Sequence, residues 1–228
     1  MKHLIVSATS IEIEPLTREL GQGEKIVPHI TRYRNGDHTI DVLITGVGMV
    51  ATSYLMTKAL MLCSYDATIN AGICGSFNTS LEIGEVVHVI SDSFPELGAE
   101  SAEKFLPLAD LNLLNPNEFP YKEGILVNTN PYDCEVCTGL KSVNGATVNT
   151  IRGNWDSILQ RKERVRADVE SMEGGAFFFV SLLEKTPCIQ LRAVSNYVEP
   201  RNPSQWNVPL AIRNLNLVLV KLLLNKAT

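Results

Sequence analysis

Short apolar runs alternate along this chain with longer stretches of helical periodicity. Residues 4–8 and 40–45 have the length and composition of buried strands, and 49–62 carries apolar positions at a 3.6-residue period. A helix follows the first strand, with Pro15 in its first turn where the missing N–H costs nothing, which leaves Glu12 in the connecting loop. Residues 67–71 read as a third strand ending in the turn 72–76, and 85–91 alternates as a fourth. Prolines at 95, 107, 116 and 120 make 94–123 a long irregular loop, a kind that serves function or oligomer contacts. Strands are predicted at 124–128, 140–149 and 165–169, and helices at 154–163, at 174–184 around Phe177, Phe178 and Phe179, and at 207–224. A last apolar strand through Ile189, Leu191 and Ala193 ends in the polar pair Ser195-Asn196.

This alternation predicts a three-layer α/β/α fold: a mixed, mostly parallel twisted sheet covered on both faces, forming a single domain over residues 1–228. Ligands of such folds bind where strands end and loops diverge. The positions that follow strands are Glu12, 46–48, 72–76, Asn149, Met172-Glu173 and Ser195-Asn196.

Composition narrows the partners. With 20% charged residues and a net charge of -5, the chain offers no polyanion-binding surface, so nucleic acid is not expected. The first apolar run is too short for a signal peptide and no run is long enough to span a bilayer, so no membrane partner and a cytoplasmic location are expected. Five scattered cysteines, at 63, 74, 134, 137 and 188, fit reduced thiols rather than a disulfide framework. Cys134 and Cys137 have metal-like spacing but no second Cys or His pair beside them, and His3, His29, His38 and His88 form no ligand pattern; surface or satisfied core positions suffice for the histidines. No metal and no cofactor are expected.

Individually the remaining motifs are ambiguous. Gly46-Val47-Gly48 lacks the third glycine of a dinucleotide fingerprint and reads as a tight strand-to-helix turn. Gly72 to Ser76 is either a turn or a set of backbone N–H groups facing an anion. Glu173 precedes an apolar helix whose N-terminus a carboxylate could satisfy.

In combination and in order, Glu12, Thr45-Gly46-Val47-Gly48, Asn70-Ala71-Gly72-Ile73-Cys74-Gly75, Ile83-Gly84-Glu85-Val86-Val87, Met172-Glu173 and Ser195-Asn196 resemble the nucleoside phosphorylase and nucleosidase superfamily over nearly the whole chain. Within it, Glu170-Ser171-Met172-Glu173-Gly174-Gly175-Ala176-Phe177 and the segment from Arg192 to Arg201 are similar to the futalosine hydrolase family, which releases hypoxanthine from futalosine in menaquinone biosynthesis. The resemblance implies a small-molecule nucleoside substrate and a homo-oligomer. It implies that Glu173 holds the ribose hydroxyls, that Met172 packs on the sugar, and that Gly72, Val148, Asn149 and Ser195 are further substrate contacts. It also implies that Glu12 orients and deprotonates water, with Glu14 as the alternative.

Relatives that release adenine carry Asp where this chain has Asn196. A carboxamide offers an N–H to the exocyclic oxygen of hypoxanthine and a carbonyl to the ring N–H formed as the base leaves, so Asn196 points to a 6-oxopurine. Phosphorylases of the superfamily place an arginine where this chain has Asn70, which favours water over phosphate; Arg192 and Arg201 are the cations that could reverse that reading. Arg152, Arg201 and the 94–123 loop are candidates for the group beyond the ribose. Three alternatives stay open: a nucleosidase for inosine, methylthioadenosine or adenosylhomocysteine, a nucleoside-binding protein without turnover, and a redox or metal protein built on Cys134 and Cys137.

Overall fold

The apolar runs become strands because both of their faces are covered. The first half of the chain forms β1 (Lys2–Ser7), α1 (Ser10–Leu20), β2 (Glu24–Val27), β3 (Ile30–Asn35), β4 (His38–Ile44), α2 (Met49–Leu62) and β5 (Ala67–Ser76). Next come β6 (Val86–Asp92), β7 (Gly98–Ser101), β8 (Lys104–Pro107), β9 (Tyr121–Lys122), β10 (Ile125–Val127) and the one-turn α3 (Glu135–Thr138). The chain closes with β11 (Lys141–Thr147), α4 (Trp155–Arg164), β12 (Val169–Ser171), α5 (Gly174–Leu183), β13 (Cys188–Tyr197) and α6 (Val208–Leu224). The computed structural model describes residues 1–102, 104–200 and 202–224.

The architecture is a single-domain α/β/α fold around a mixed sheet that is parallel at its centre, where β4, β1, β5 and β13 lie side by side in one direction. Strand β13 is also antiparallel to β6, so β5, β12, β11, β6 and β13 close a ring. Alternation along β1 divides the core between the two faces of the sheet. Leu4 and Val6 join the cluster of Met56, Phe177 and Phe178 from α2 and α5, while Ile5 joins Ile13, Leu16, Leu215 and Leu219 from α1 and α6. Both helical layers are thereby fixed against one sheet.

Several local expectations are corrected. Helix α1 begins at Ser10, so Glu12 lies within its first turn rather than in a loop, and Pro15 falls beyond that turn. The cause is local: the backbone N–H and hydroxyl of Thr9 both donate to Glu12 Oε2, at 3.0 and 2.9 Å, and close the first turn from its N-cap. Residues 72–76 are not a turn, because β13 continues to pair with β5 as far as Ser76. The 94–123 segment contains the β7–β8 hairpin and β9, and the hairpin strands β2 and β3 were not foreseen. Strand β12 starts at Val169, later than expected; α4 ends at Arg164 and Val165 is its C-cap.

The reading of five reduced cysteines is also corrected: Cys134 and Cys137 are joined as a disulfide, with Cα atoms 5.6 Å apart, because Cys134 caps α3 and Cys137 lies one turn on. Nor are all core histidines satisfied, since Nδ1 of His3 and of His38 and Nε2 of His88 are buried without a hydrogen-bond partner among the described residues. Among the described residues, no helix is long and apolar enough to cross a membrane.

Asp41 on β4 is a fully buried charge outside the site. Arg32 donates to both of its oxygens at 2.7 Å and Tyr65 donates its hydroxyl at 2.9 Å. Burial pushes the carboxyl upward, but these donors outweigh it and hold the group below its ordinary value. Asp41→Ala strands the Tyr65 hydroxyl and the Arg32 guanidinium. The expected loss is about 2–3 kcal/mol in urea unfolding, with activity per folded molecule unchanged.

Candidate active site

At the C-terminal ends of β1, β5 and β13 lies a cavity of about 350 Å³. Its wall includes Glu12, Val148, Met172, Glu173, Ser195 and Asn196, which are far apart in sequence and meet here because their strands end together. Gly72 and Asn149 are not among the lining residues. Gly72 lies beneath the site, where a Cβ would collide with Arg192 Nη1 and stand 2.9 Å from Glu12 Oε1. Asn149 is exposed and lines a neighbouring cavity, its backbone N–H donating to Glu96 at 2.7 Å.

Glu12 is held by donors on both oxygens. Besides the two bonds from Thr9, Ser7 Oγ reaches Oε2 at 3.3 Å and the Ile73 N–H reaches Oε1 at 3.1 Å. The residue is 8% exposed and lines the cavity. Glu14, by contrast, is exposed and pairs with Arg18 at 2.7 Å, so it takes no part in the site.

Glu173 is not spent on its own helix, α5, which it precedes without a side-chain cap bond. Its Oε1 accepts the N–H of Gly48 at 3.0 Å, across the turn made by Gly46 and Gly48 at φ of 80° and 101°. Both glycines occupy the left-handed region that other residues avoid, and this brings a backbone donor to the carboxylate. Its Oε2 faces Arg192 Nη1 at 3.7 Å.

Arg192 is 1% exposed and points inward. Its guanidinium is engaged by Asn70 Oδ1, by Gln190 Oε1 at 3.3 Å and by Glu173. The position that a phosphorylase gives to arginine is thus filled by an asparagine that accepts from a buried arginine and donates to the Val6 carbonyl at 2.9 Å. Arg152 lies near Glu96, 3.4 Å away, and does not line the cavity. Arg201 lies outside the described residues.

Asn196 is aimed by a bulge. In the pairing of β13 with β5, Val194 matches Cys74 and Asn196 matches Gly75, leaving Ser195 as the extra residue. Ser195 Oγ donates within reach of both the Cys74 carbonyl, at 3.0 Å, and Asn196 Oδ1, at 2.8 Å, while Asn196 Nδ2 donates to the Tyr197 carbonyl at 2.9 Å. A carboxamide has two N–H donors and two acceptor lone pairs, so one of each is left for a ligand. Cys74 also lines the cavity, but burial pushes its thiol up to about 12, so it stays protonated and is no nucleophile near neutral pH.

Of the three carboxylates that line the cavity, Glu12, Glu170 and Glu173, the sequence points to the first and third as site residues and not to Glu170. Glu170 belongs to the motif that precedes α5, and it lines the same cavity. The available signal was the alternation of a strand, which turns Glu170 to the same side as Met172 two residues later.

The model of the phosphorylase superfamily matches residues 2–224. The chain belongs to that superfamily. A futalosine hydrolase of Streptomyces coelicolor is 30% identical, over 97% of this chain and 95% of that protein. A 5'-methylthioadenosine/S-adenosylhomocysteine nucleosidase of Haemophilus ducreyi is 24% identical over 82% of this chain and 80% of its own length. Among solved structures, the nucleosidase of the same kind from Colwellia psychrerythraea, in complex with adenine, superposes with a TM-score of 0.79 at 17% identity, covering 98% of this chain and 94% of that one. Homology within the superfamily supports N-glycosyl hydrolase activity on purine nucleosides.

Proposed function

We propose that this chain hydrolyses the N-glycosidic bond of futalosine and releases hypoxanthine, as a step of menaquinone biosynthesis. The observation that carries the reading is Asn196, which retains one free donor and one free acceptor in a cavity it shares with Glu12 and Glu173. Cleavage builds positive charge on the ribose and negative charge on the leaving purine, so the site must hold the sugar, supply water and stabilise the base. Glu173 accepts from the ribose hydroxyls, Met172 packs on the sugar, and Glu12 takes the proton of the attacking water. Asn196 donates to the exocyclic oxygen of the base and accepts from the ring N–H that forms on departure. Val148 and Ser195 complete the wall, and Gly72 admits Arg192 beneath Glu12.

Water as the nucleophile is supported by the charge of the site. Among the described residues lining the cavity there is no Lys, Arg or His, and Arg192 is engaged within the protein. A phosphate dianion would lack a cationic partner there. The mouth is apolar, with Ile11, Ile151, Trp206 and Ile212, and suits an aromatic group beyond the ribose. Val50, Tyr54 and Met61 on α2 are 81%, 61% and 79% exposed, which supports a homo-oligomer that covers them.

A second reading, a nucleosidase for inosine, methylthioadenosine or adenosylhomocysteine, is favoured by the likeness to the Haemophilus ducreyi enzyme. Incubation in phosphate-free buffer decides between water and phosphate. The expected products from futalosine are hypoxanthine and an unphosphorylated sugar, at a rate that added phosphate does not raise. A strict phosphate requirement would overturn hydrolysis, and adenine release at equal efficiency from methylthioadenosine would overturn the choice of base.

A further inference from the structure

The base end of the cavity holds a second titratable group that the roles above leave unused. Glu170 on β12 is 5% exposed and lines the cavity. Its Oε2 accepts from Nη1 of Arg161 at 3.0 Å, and Arg161 on α4 is itself 4% exposed. The same guanidinium donates to the Thr150 carbonyl at 3.0 Å and to Glu96, whose other oxygen accepts the Asn149 N–H. The pair is therefore anchored to the loop that follows Val148. Glu170 Oε1 has no hydrogen-bond partner among the described residues, and the residue lines the cavity.

Glu170 and Asn196 adjoin. A Cβ at Gly75 would stand 3.3 Å from Asn196 Nδ2 and 3.5 Å from Glu170 Cγ, so the absence of that Cβ lets both side chains lean over the same residue. Burial pushes the Glu170 carboxyl upward and Arg161 offsets part of that, so an unmatched oxygen here is costly until a donor meets it.

A 6-oxopurine presents, side by side, an exocyclic oxygen that accepts and an N1–H that donates; a 6-aminopurine presents an amine and an unprotonated N1, the reverse pattern. We propose that Glu170 is a specificity-determining residue of this site, its free carboxylate oxygen accepting the N1–H of a 6-oxopurine while Asn196 donates to the neighbouring exocyclic oxygen. Against adenine the same carboxylate faces the N1 lone pair. This rests on the 6-oxopurine reading above and adds a second contact to it.

Glu170→Gln keeps an oxygen for Arg161 and turns an N–H toward the base. The readout is the ratio of kcat/KM for futalosine to that for methylthioadenosine, which a merely structural role would leave unchanged because both substrates would suffer alike. The ratio should fall by about 10- to 100-fold. A variant-free measurement guards against misfolding: with the native protein, hypoxanthine should inhibit about 10-fold or more better than 1-methylhypoxanthine, which lacks the N1–H. An unchanged ratio in a folded Glu170→Gln protein, or equal inhibition by the two bases, overturns the role of Glu170 alone. No hypoxanthine release by the native protein overturns both this inference and the reading beneath it.

Discussion

Replacing Glu12 by Gln lowers kcat by about 10²- to 10⁴-fold, the share that a positioned general base supplies. The carboxylate has two oxygens and a backbone donor on each, Thr9 N–H on one and Ile73 N–H on the other. An amide cannot satisfy both, since its NH₂ meets a backbone N–H whichever way it is turned. The variant should therefore also lose about 1–2 kcal/mol of stability. The two effects separate cleanly: the rate is measured at a temperature where circular dichroism shows the protein folded, and KM should change only a few-fold because Glu173, the proposed ribose contact, is unaltered. Normal kcat in the folded variant would remove Glu12 from the chemistry. Glu14→Gln serves as the paired control, because that carboxylate pairs with Arg18 away from the cavity, and its kcat should be unaffected.

Asn196→Asp is the second large effect, and it acts on choice rather than on speed. In the native chain Nδ2 donates to the Tyr197 carbonyl and Oδ1 lies within reach of Ser195 Oγ. An aspartate keeps the second contact and loses the first unless it is protonated, and its unprotonated oxygen opposes the exocyclic oxygen of hypoxanthine. A buried mismatch of this kind costs about 1–3 kcal/mol. Futalosine kcat/KM should fall by about 10- to 100-fold while release of adenine from methylthioadenosine rises or holds. Thermal unfolding should move far less than that loss implies. An unchanged rate of hypoxanthine release would end the role of Asn196 in base recognition.

Much of this site was legible in the sequence because strand ends mark themselves. Glu12, Glu173 and Asn196 each follow an apolar run, and the sheet brings such ends together whatever their separation along the chain. The details that were not legible depend on pairing. That β13 lies between β5 and β6, closing a ring, follows from hydrogen bonds between residues more than a hundred positions apart. That Ser195 is a bulge residue follows from the register of that pairing, and the bulge is what aims Asn196. Pro15 reads as a first-turn residue and so puts Glu12 in a loop, whereas the bonds from Thr9 start the helix earlier. Asn149 and Gly72 occupy motif positions, but the backbone turns one toward Glu96 and leaves the other as clearance for Arg192. Glu170 went unassigned because its meaning depends on which oxygen Arg161 occupies, a fact of tertiary contact alone.

Release of hypoxanthine from futalosine is tested most sharply by the specificity ratio of the native protein, kcat/KM for futalosine against methylthioadenosine and inosine, in buffer without phosphate and with the released base identified. Hypoxanthine should be the dominant product, with futalosine preferred over methylthioadenosine by at least about 100-fold, the discrimination that two opposed polar contacts supply. Equal turnover of methylthioadenosine, with adenine as the released base, would contradict it.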